Sequence, residues 1–230
     1  MTEPARDRFL GRVRQALREG GRVGAPAEVP ARGTVGYQGA GTDLVARFCQ
    51  ELTLAGGSPH QVADEESAAA CVVQLLRQKE TRSVLLGAGR IDVLALAERL
   101  AGAGMTAVPT STLTNTDRDR FFAADAGVGG VDYLIAETGS VALLAKPSEP
   151  RSLSLLPPIY IAVAWRHQLL PDLFDLYDLA LCRGLPPAPP PALPSCLSII
   201  TGPSKTGDIE LKLVTGVHGP GEIHVVVITE

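Results

Sequence analysis

The sequence predicts an α/β fold, a mainly parallel sheet flanked by helices. Short apolar runs such as residues 83–86 and Ile159–Trp165 alternate along the chain with amphipathic stretches of helical period. The run Ile159–Trp165 is apolar on both faces, as a strand inside a parallel sheet requires. The composition agrees, because 230 residues with 45% hydrophobic and 20% charged side chains can bury one sizeable core and an appendage. Aromatic residues make up only 4%, so Leu, Val, Ile and Ala must fill that core.

Each element follows from local signals. Residues 3–19 place Phe9, Leu10, Val13 and Leu17 at helical spacing among arginines and end at Gly20-Gly21. Residues 20–41 have no period and read as a linker or extended arm. A helix is expected over 42–55, with Thr42 as N-cap and Gly56-Gly57 as its stop. A short strand follows at 60–62, in which His60 stands alone and reads as an ordinary surface residue. Asp64 then caps a helix running to Lys79. The strand at 83–86 leads through Gly87-Ala88-Gly89 into a helix over 92–100, and 105–108 is the next strand. A hydroxyl-rich loop at 110–116 precedes a charged helix over 117–126, ended by the glycines of 127–130.

Strands at 131–136 and 140–144 are joined by Glu137-Thr138-Gly139. Four prolines make 146–158 a stiff loop. After Ile159–Trp165, His167 lies in a turn, and a helix over 169–182 turns Leu170, Leu173, Phe174, Tyr177 and Leu181 inward. Residues 185–194 form a polyproline spacer, 196–200 a strand, 209–214 a short helix and 222–228 the last strand. The chain thus divides into a helix and arm at 1–41 and an α/β domain at 42–230.

Composition narrows function. A net charge of −4 argues against nucleic acid as the main partner. No two of Cys49, Cys71, Cys182 and Cys196 form a C-x-x-C pair, which excludes the usual local zinc and iron–sulfur spacings. Free thiols in a reducing cytosol are expected. The N-terminus lacks the apolar core of a secretory signal, and no run approaches the roughly 20 apolar residues of a membrane span. A soluble, cytoplasmic protein is expected.

The densest chemistry lies at 201–210, Thr-Gly-Pro-Ser-Lys-Thr-Gly-Asp-Ile-Glu, with His218-Gly219-Pro220 beyond it. Gly202 and Gly207 have P-loop spacing, but Asp208 stands where that loop needs its lysine. What survives is a hydroxyl- and N–H-rich loop in which Lys205 can meet a small anion. Asp208 and Glu210 could order that lysine, exchange protons, or join His218 at a metal; a local salt-bridge network is the alternative. Gly87 and Gly89 begin a dinucleotide fingerprint whose third glycine is replaced by Asp92. Glu137 is either a solvated turn residue or a placed acid.

These motifs together resemble the lactate utilization protein C family, also called LutC or YkgG, built on the LUD domain. The resemblance rests on Val84-Leu-Leu-Gly-Ala-Gly, Ala136-Glu-Thr-Gly-Ser-Val, Arg151 with Ser154-Leu-Leu-Pro, Ile161-Ala-Val, Ile200-Thr-Gly-Pro-Ser-Lys-Thr-Gly-Asp-Ile-Glu and Leu213-Val-Thr-Gly-Val-His-Gly-Pro. It covers residues 42–230, and Lys205-Thr206-Gly207 stands where the family often has Arg-Thr-Ala. The resemblance implies a sugar-isomerase/CoA-transferase-like fold (NagB/RpiA/CoA transferase-like). It also implies a subunit of a bacterial system that oxidises L-lactate to pyruvate beside iron–sulfur partner proteins. Those partners would carry the clusters, so none is expected in this chain, and the chain's own cofactor is left open. The catalytic residues it implies are Glu137, Asp208, Glu210 and His218. The residues it implies for binding a small anionic ligand or cofactor are Gly87, Gly89, Thr138, Gly139, Arg151, Gly202, Ser204, Lys205 and Thr206. A stand-alone acyl- or CoA-type transferase or ligase, and a non-catalytic assembly or regulatory subunit, stay open beside it.

Overall fold

A computed structural model describes residues 5–20, 39–114, 117–146, 149–180, 195–207 and 213–230. The chain forms two units, Met1–Tyr37 and Gln38–Glu230. The first contains helix α1 (Ala5–Gly20). The second contains, in order, α2 (Leu44–Ala55), β1 (Ser58–Val62), α3 (Glu65–Gln78), β2 (Ser83–Leu86), α4 (Leu96–Gly102), β3 (Thr106–Pro109), α5 (Arg118–Phe122), β4 (Ala126–Gly130), β5 (Tyr133–Ile135), β6 (Ser140–Leu144), α6 (Ser152–Leu155), β7 (Ile159–Trp165), β8 (Leu169–Leu170), α7 (Leu173–Ala180), β9 (Leu197–Ile200), β10 (Lys205–Gly207), β11 (Leu213–Thr215) and β12 (Glu222–Ile228).

The main sheet has the order β1-β12-β7-β4-β2-β3, and every neighbouring pair is parallel. Its two faces are both buried, which is why its strands carry apolar residues at consecutive positions. Val84, Val128, Ile161, Val163 and Val226 pack with Val72, Leu76 and Leu100 of α3 and α4. Leu85, Tyr160, Ala162, Val225 and Val227 face the other way, towards Phe48 and Leu52 of α2 and Leu153 of α6. A second sheet, β8-β5-β6-β9, also contributes to this layer through Leu134 and Val141. Its Ile135 and Ala142 pack with Leu176 of α7. A two-stranded antiparallel ribbon, β10-β11, completes the fold.

The mainly parallel sheet and its flanking helices are as the sequence predicts; several elements differ. Asp43, not Thr42, caps α2, accepting from the N–H groups of Val45 and Ala46 at 3.1 Å each. The helix expected over 92–100 is a 3-10 turn, Arg90–Leu94, and a separate α4, because Ala95 has φ 46° and breaks the ladder. The expected helix over 117–126 shrinks to α5, and Gly127–Gly130 belongs to β4, at the middle of the sheet, rather than ending a helix. The proline-rich loop contains α6. Leu169 and Leu170 are strand, and α7 buries Leu176 while Tyr177 is 46% exposed. The helix expected over 209–214 falls partly outside the described residues, and its last two residues, Leu213 and Val214, are in β11. The polyproline spacer also lies outside them.

His60 is not alone. Parallel pairing of β1 with β12 stacks its ring on His224, with Nε2 3.1 Å from Nδ1 of His224. Glu222 lies 3.4 Å from His224 Nε2 and 2.5 Å from the Lys79 ammonium. The pairing spans 164 positions, which no local sequence signal reports.

Candidate functional site

The structure sorts the sequence-predicted residues into two places. The first is a chamber against the face of β4 and β7, roofed by α6 and closed on one side by β6 and β9. Its volume is about 30 Å³. The glycines of β4 make it possible. A Cβ on Gly127 would collide with the Leu153 carbonyl, and one on Gly129 would come within 2.9 Å of Leu153 Cδ2 and 3.3 Å of the Tyr160 hydroxyl. Glycine here lets α6 lie directly on the sheet. Gly87 leaves room in the same way, since a Cβ there would stand 2.6 Å from Glu149 Oε1.

Glu149 is the residue the sequence reading missed. Its Oε1 is buried and has no hydrogen-bond partner. Burial pushes its carboxyl above the usual range; Lys146 and the Gly130 N–H pull it down, and Asp132 adds to the rise. Tyr160 is fully buried nearby, and burial, followed by the charges of Glu149 and Asp132, drives its phenol well above its ordinary value. It therefore stays protonated. Asp132 is held by the Lys146 ammonium at 2.5 Å and the Leu144 N–H at 2.8 Å. Arg151 and Ser154 complete the wall, with the exposed Arg151 guanidinium 3.7 Å from Cys196 Sγ. The chamber thus offers a phenol, a serine hydroxyl and a carboxyl biased towards its protonated form, beside a guanidinium. That set suits an oxygen-rich guest and a proton exchange at Glu149. One sequence signal pointed here: Tyr160 puts a polar tip into an otherwise apolar strand.

The second place is the C-terminus of α2. Thr138 Oγ1, Ser140 Oγ and Thr201 Oγ1 form a hydroxyl chain with contacts of 2.7 and 2.6 Å. Gly139, at φ 63°, lies against the backbone of Glu51 and Leu52, and Gly202, at φ 76°, against Ala55. Neither position admits a side chain. Lys205 donates to the Ala55 carbonyl at 2.5 Å, beside Gly56 in the left-handed cap of α2. Its charge thus sits on the negative end of that helix. Ser204 donates its N–H to the Pro220 carbonyl and accepts from Gly216. Thr206 pairs with Val214 in the ribbon, and His218 is exposed on the following loop.

Of the remaining candidates, Glu137 donates its N–H to the Pro171 carbonyl and is half-buried. The N–H of Gly89 is taken by Asp92 Oδ2 at 3.0 Å, and that of Gly87 by Val128. These two amides of the Gly87-Ala88-Gly89 turn are therefore already used. Asp208 and Glu210 lie outside the described residues. Among the described residues, no group of three or more His, Cys, Asp or Glu side chains converges as a metal site would, and Cys49, Cys71 and Cys196 are free thiols. No helix among them is long and apolar enough to cross a membrane.

The LUD domain family matches residues 45–228. The Escherichia coli K12 protein YkgG is 30% identical over 225 residues, covering 94% of both chains. Lactate utilization protein C of Halalkalibacterium halodurans is 42% identical over 97 residues, which span 42% of this chain and only 41% of that relative. A crystal structure of a DUF162 family protein from Deinococcus radiodurans shares the fold at a TM-score of 0.57 and 21% identity, covering 80% of this chain and 96% of that one. The chain belongs to the LUD domain family, in its LutC/YkgG branch.

Proposed function

We propose that the chain is a cytoplasmic component of a lactate utilization system, acting with iron–sulfur partner proteins in the oxidation of L-lactate to pyruvate. The observation that carries this reading is the family match over 45–228 together with the likeness to lactate utilization protein C. We propose also that its fold belongs with the sugar isomerases and CoA transferases. The small anionic ligand meets Arg151 at the rim of the chamber, and only its small polar end enters beside Glu149 and Tyr160. A chamber of about 30 Å³ admits a group the size of water or hydroxyl and no more. Gly139, Gly202 and Lys205 hold the end of α2, and with Thr138, Ser204 and Thr206 they remain proposed ligand-binding residues. Glu137, Asp208, Glu210 and His218 remain proposed proton-exchanging or orienting groups.

The decisive experiment is a lactate-to-pyruvate assay with the purified partner proteins, run with and without this chain. Pyruvate formation is expected to require it; equal rates without it would overturn the assignment. Within that assay, Glu149→Gln and Arg151→Met are each expected to lower the rate or the apparent affinity about tenfold or more. The unpartnered Glu149 oxygen also favours one second reading, an acyl- or CoA-type transferase with a carboxylate at its centre. Turnover of an acyl-CoA by the chain alone, lost in Glu149→Gln, would select it.

A further inference from the structure

On the other flank of α6 from the chamber lies a cleft of about 630 Å³. Thr110, Leu113, Arg118, Phe121, Phe122 and Leu156 line it. We infer that this cleft is a second binding site, for a small molecule that joins a flat apolar ring to one anionic group.

Three observations converge on that class of ligand. The volume is in the range of organic-ligand sites, roughly 300–1,000 Å³. The apolar walls are left bare, with Phe122 64% and Leu156 38% exposed, although aromatic side chains of this size normally find cover. Arg118 has no ion-pair partner among the described residues, so its charge is available to an acid. The position fits as well: Thr110 directly follows the carboxyl end of β3, where parallel sheets present their ligands. The occupant is a small molecule rather than a protein surface, because the space is a cleft of ligand size and not a broad flat patch.

The cleft and the chamber share α6 and Pro150 but not their polar groups. Ser152 and Leu156 line the cleft, whereas Leu153 and Ser154 line the chamber. The inference therefore stands or falls independently of the lactate role.

It is tested with the full chain and 1-anilinonaphthalene-8-sulfonate, an aromatic sulfonate whose fluorescence rises in apolar sites. Saturable binding with one site per chain is expected. Arg118→Gln should weaken it about tenfold, with Arg118→Lys restoring part of the loss. Phe122→Ser should weaken it at least as much. N-phenyl-1-naphthylamine, which lacks the sulfonate, should bind without regard to Arg118. Leu54→Ser, on an exposed residue of α2, should change nothing, which separates the cleft from general adhesion to apolar surface. Circular dichroism on each variant verifies folding. Unsaturable binding, or affinity indifferent to Arg118→Gln and Phe122→Ser in folded protein, would overturn the site.

Discussion

Glu149 and the pair His60–His224 give the molecule opposite responses to pH. The Glu149 carboxyl is raised above its ordinary value of 4.5, so the folded state keeps a proton that the unfolded state gives up. Its contribution is complete below about pH 4.5 and is lost as pH rises through the folded value. Both histidines are lowered from 6.5, His60 by burial and then by His224, and His224 by burial. Their contribution is complete above about pH 6.5 and is lost as pH falls towards the folded values. Thermal unfolding followed from pH 5 to 8 should therefore show Glu149→Gln gaining stability relative to wild type at the alkaline end. His60→Asn should flatten the loss below pH 6.5; identical pH profiles for all three proteins would exclude these assignments. Neither group was legible in the sequence. A glutamate among prolines reads as a solvated loop residue, and its burial depends on α6 and on glycines in β4. A histidine pair formed across two parallel strands leaves no spacing to recognise.

The elements themselves were legible where a side chain or a glycine marks an end. Asp64 caps α3 through the Ser67 N–H at 2.7 Å, and Gly56 ends α2 in the left-handed conformation, both as their residue types predict. The glycines of β4 were misread because the same residue type punctuates turns and permits close packing. Only the neighbour, Leu153, decides between the two meanings. At the end of α2 the demand for glycine is strict: Gly139 has positive φ and faces backbone. Gly139→Ala should destabilise the fold by about 2–4 kcal/mol in urea unfolding. Lys205→Ala, which removes a cation from a helix end but leaves the backbone alone, should lower Tm by only about 1–4 °C. A larger loss of ligand response than of stability in Lys205→Ala would instead place that ammonium on the ligand.

At the scale of the molecule, the parallel sheet was legible from alternating apolar runs and amphipathic helices. The second sheet was legible only in pieces. Its strands β5, β6 and β9 lie within runs that read as strands, but β8, with two residues, is too short to display a period and reads as the start of a helix, and no local signal joins the four. That sheet supplies the side wall of the chamber, so the site could not be assembled from motifs alone. The unit Gln38–Glu230 contains both sheets and all three apolar clusters. A chain lacking residues 1–37 should accordingly unfold cooperatively with a Tm within about 2 °C of the full protein; loss of the transition would show that the first unit is part of the core.

The place of β12 has a consequence for how the protein is made. The last strand lies second in the main sheet, between β1 and β7, and buries Val225, Val226 and Val227 completely. During synthesis β1 emerges early yet has no partner until residues 222–228 appear. Until then β1 and β7 both present open edges, the feature that invites wrong pairing between nascent chains. Translation stopped shortly before residue 222 should therefore yield a species bound by chaperones or degraded.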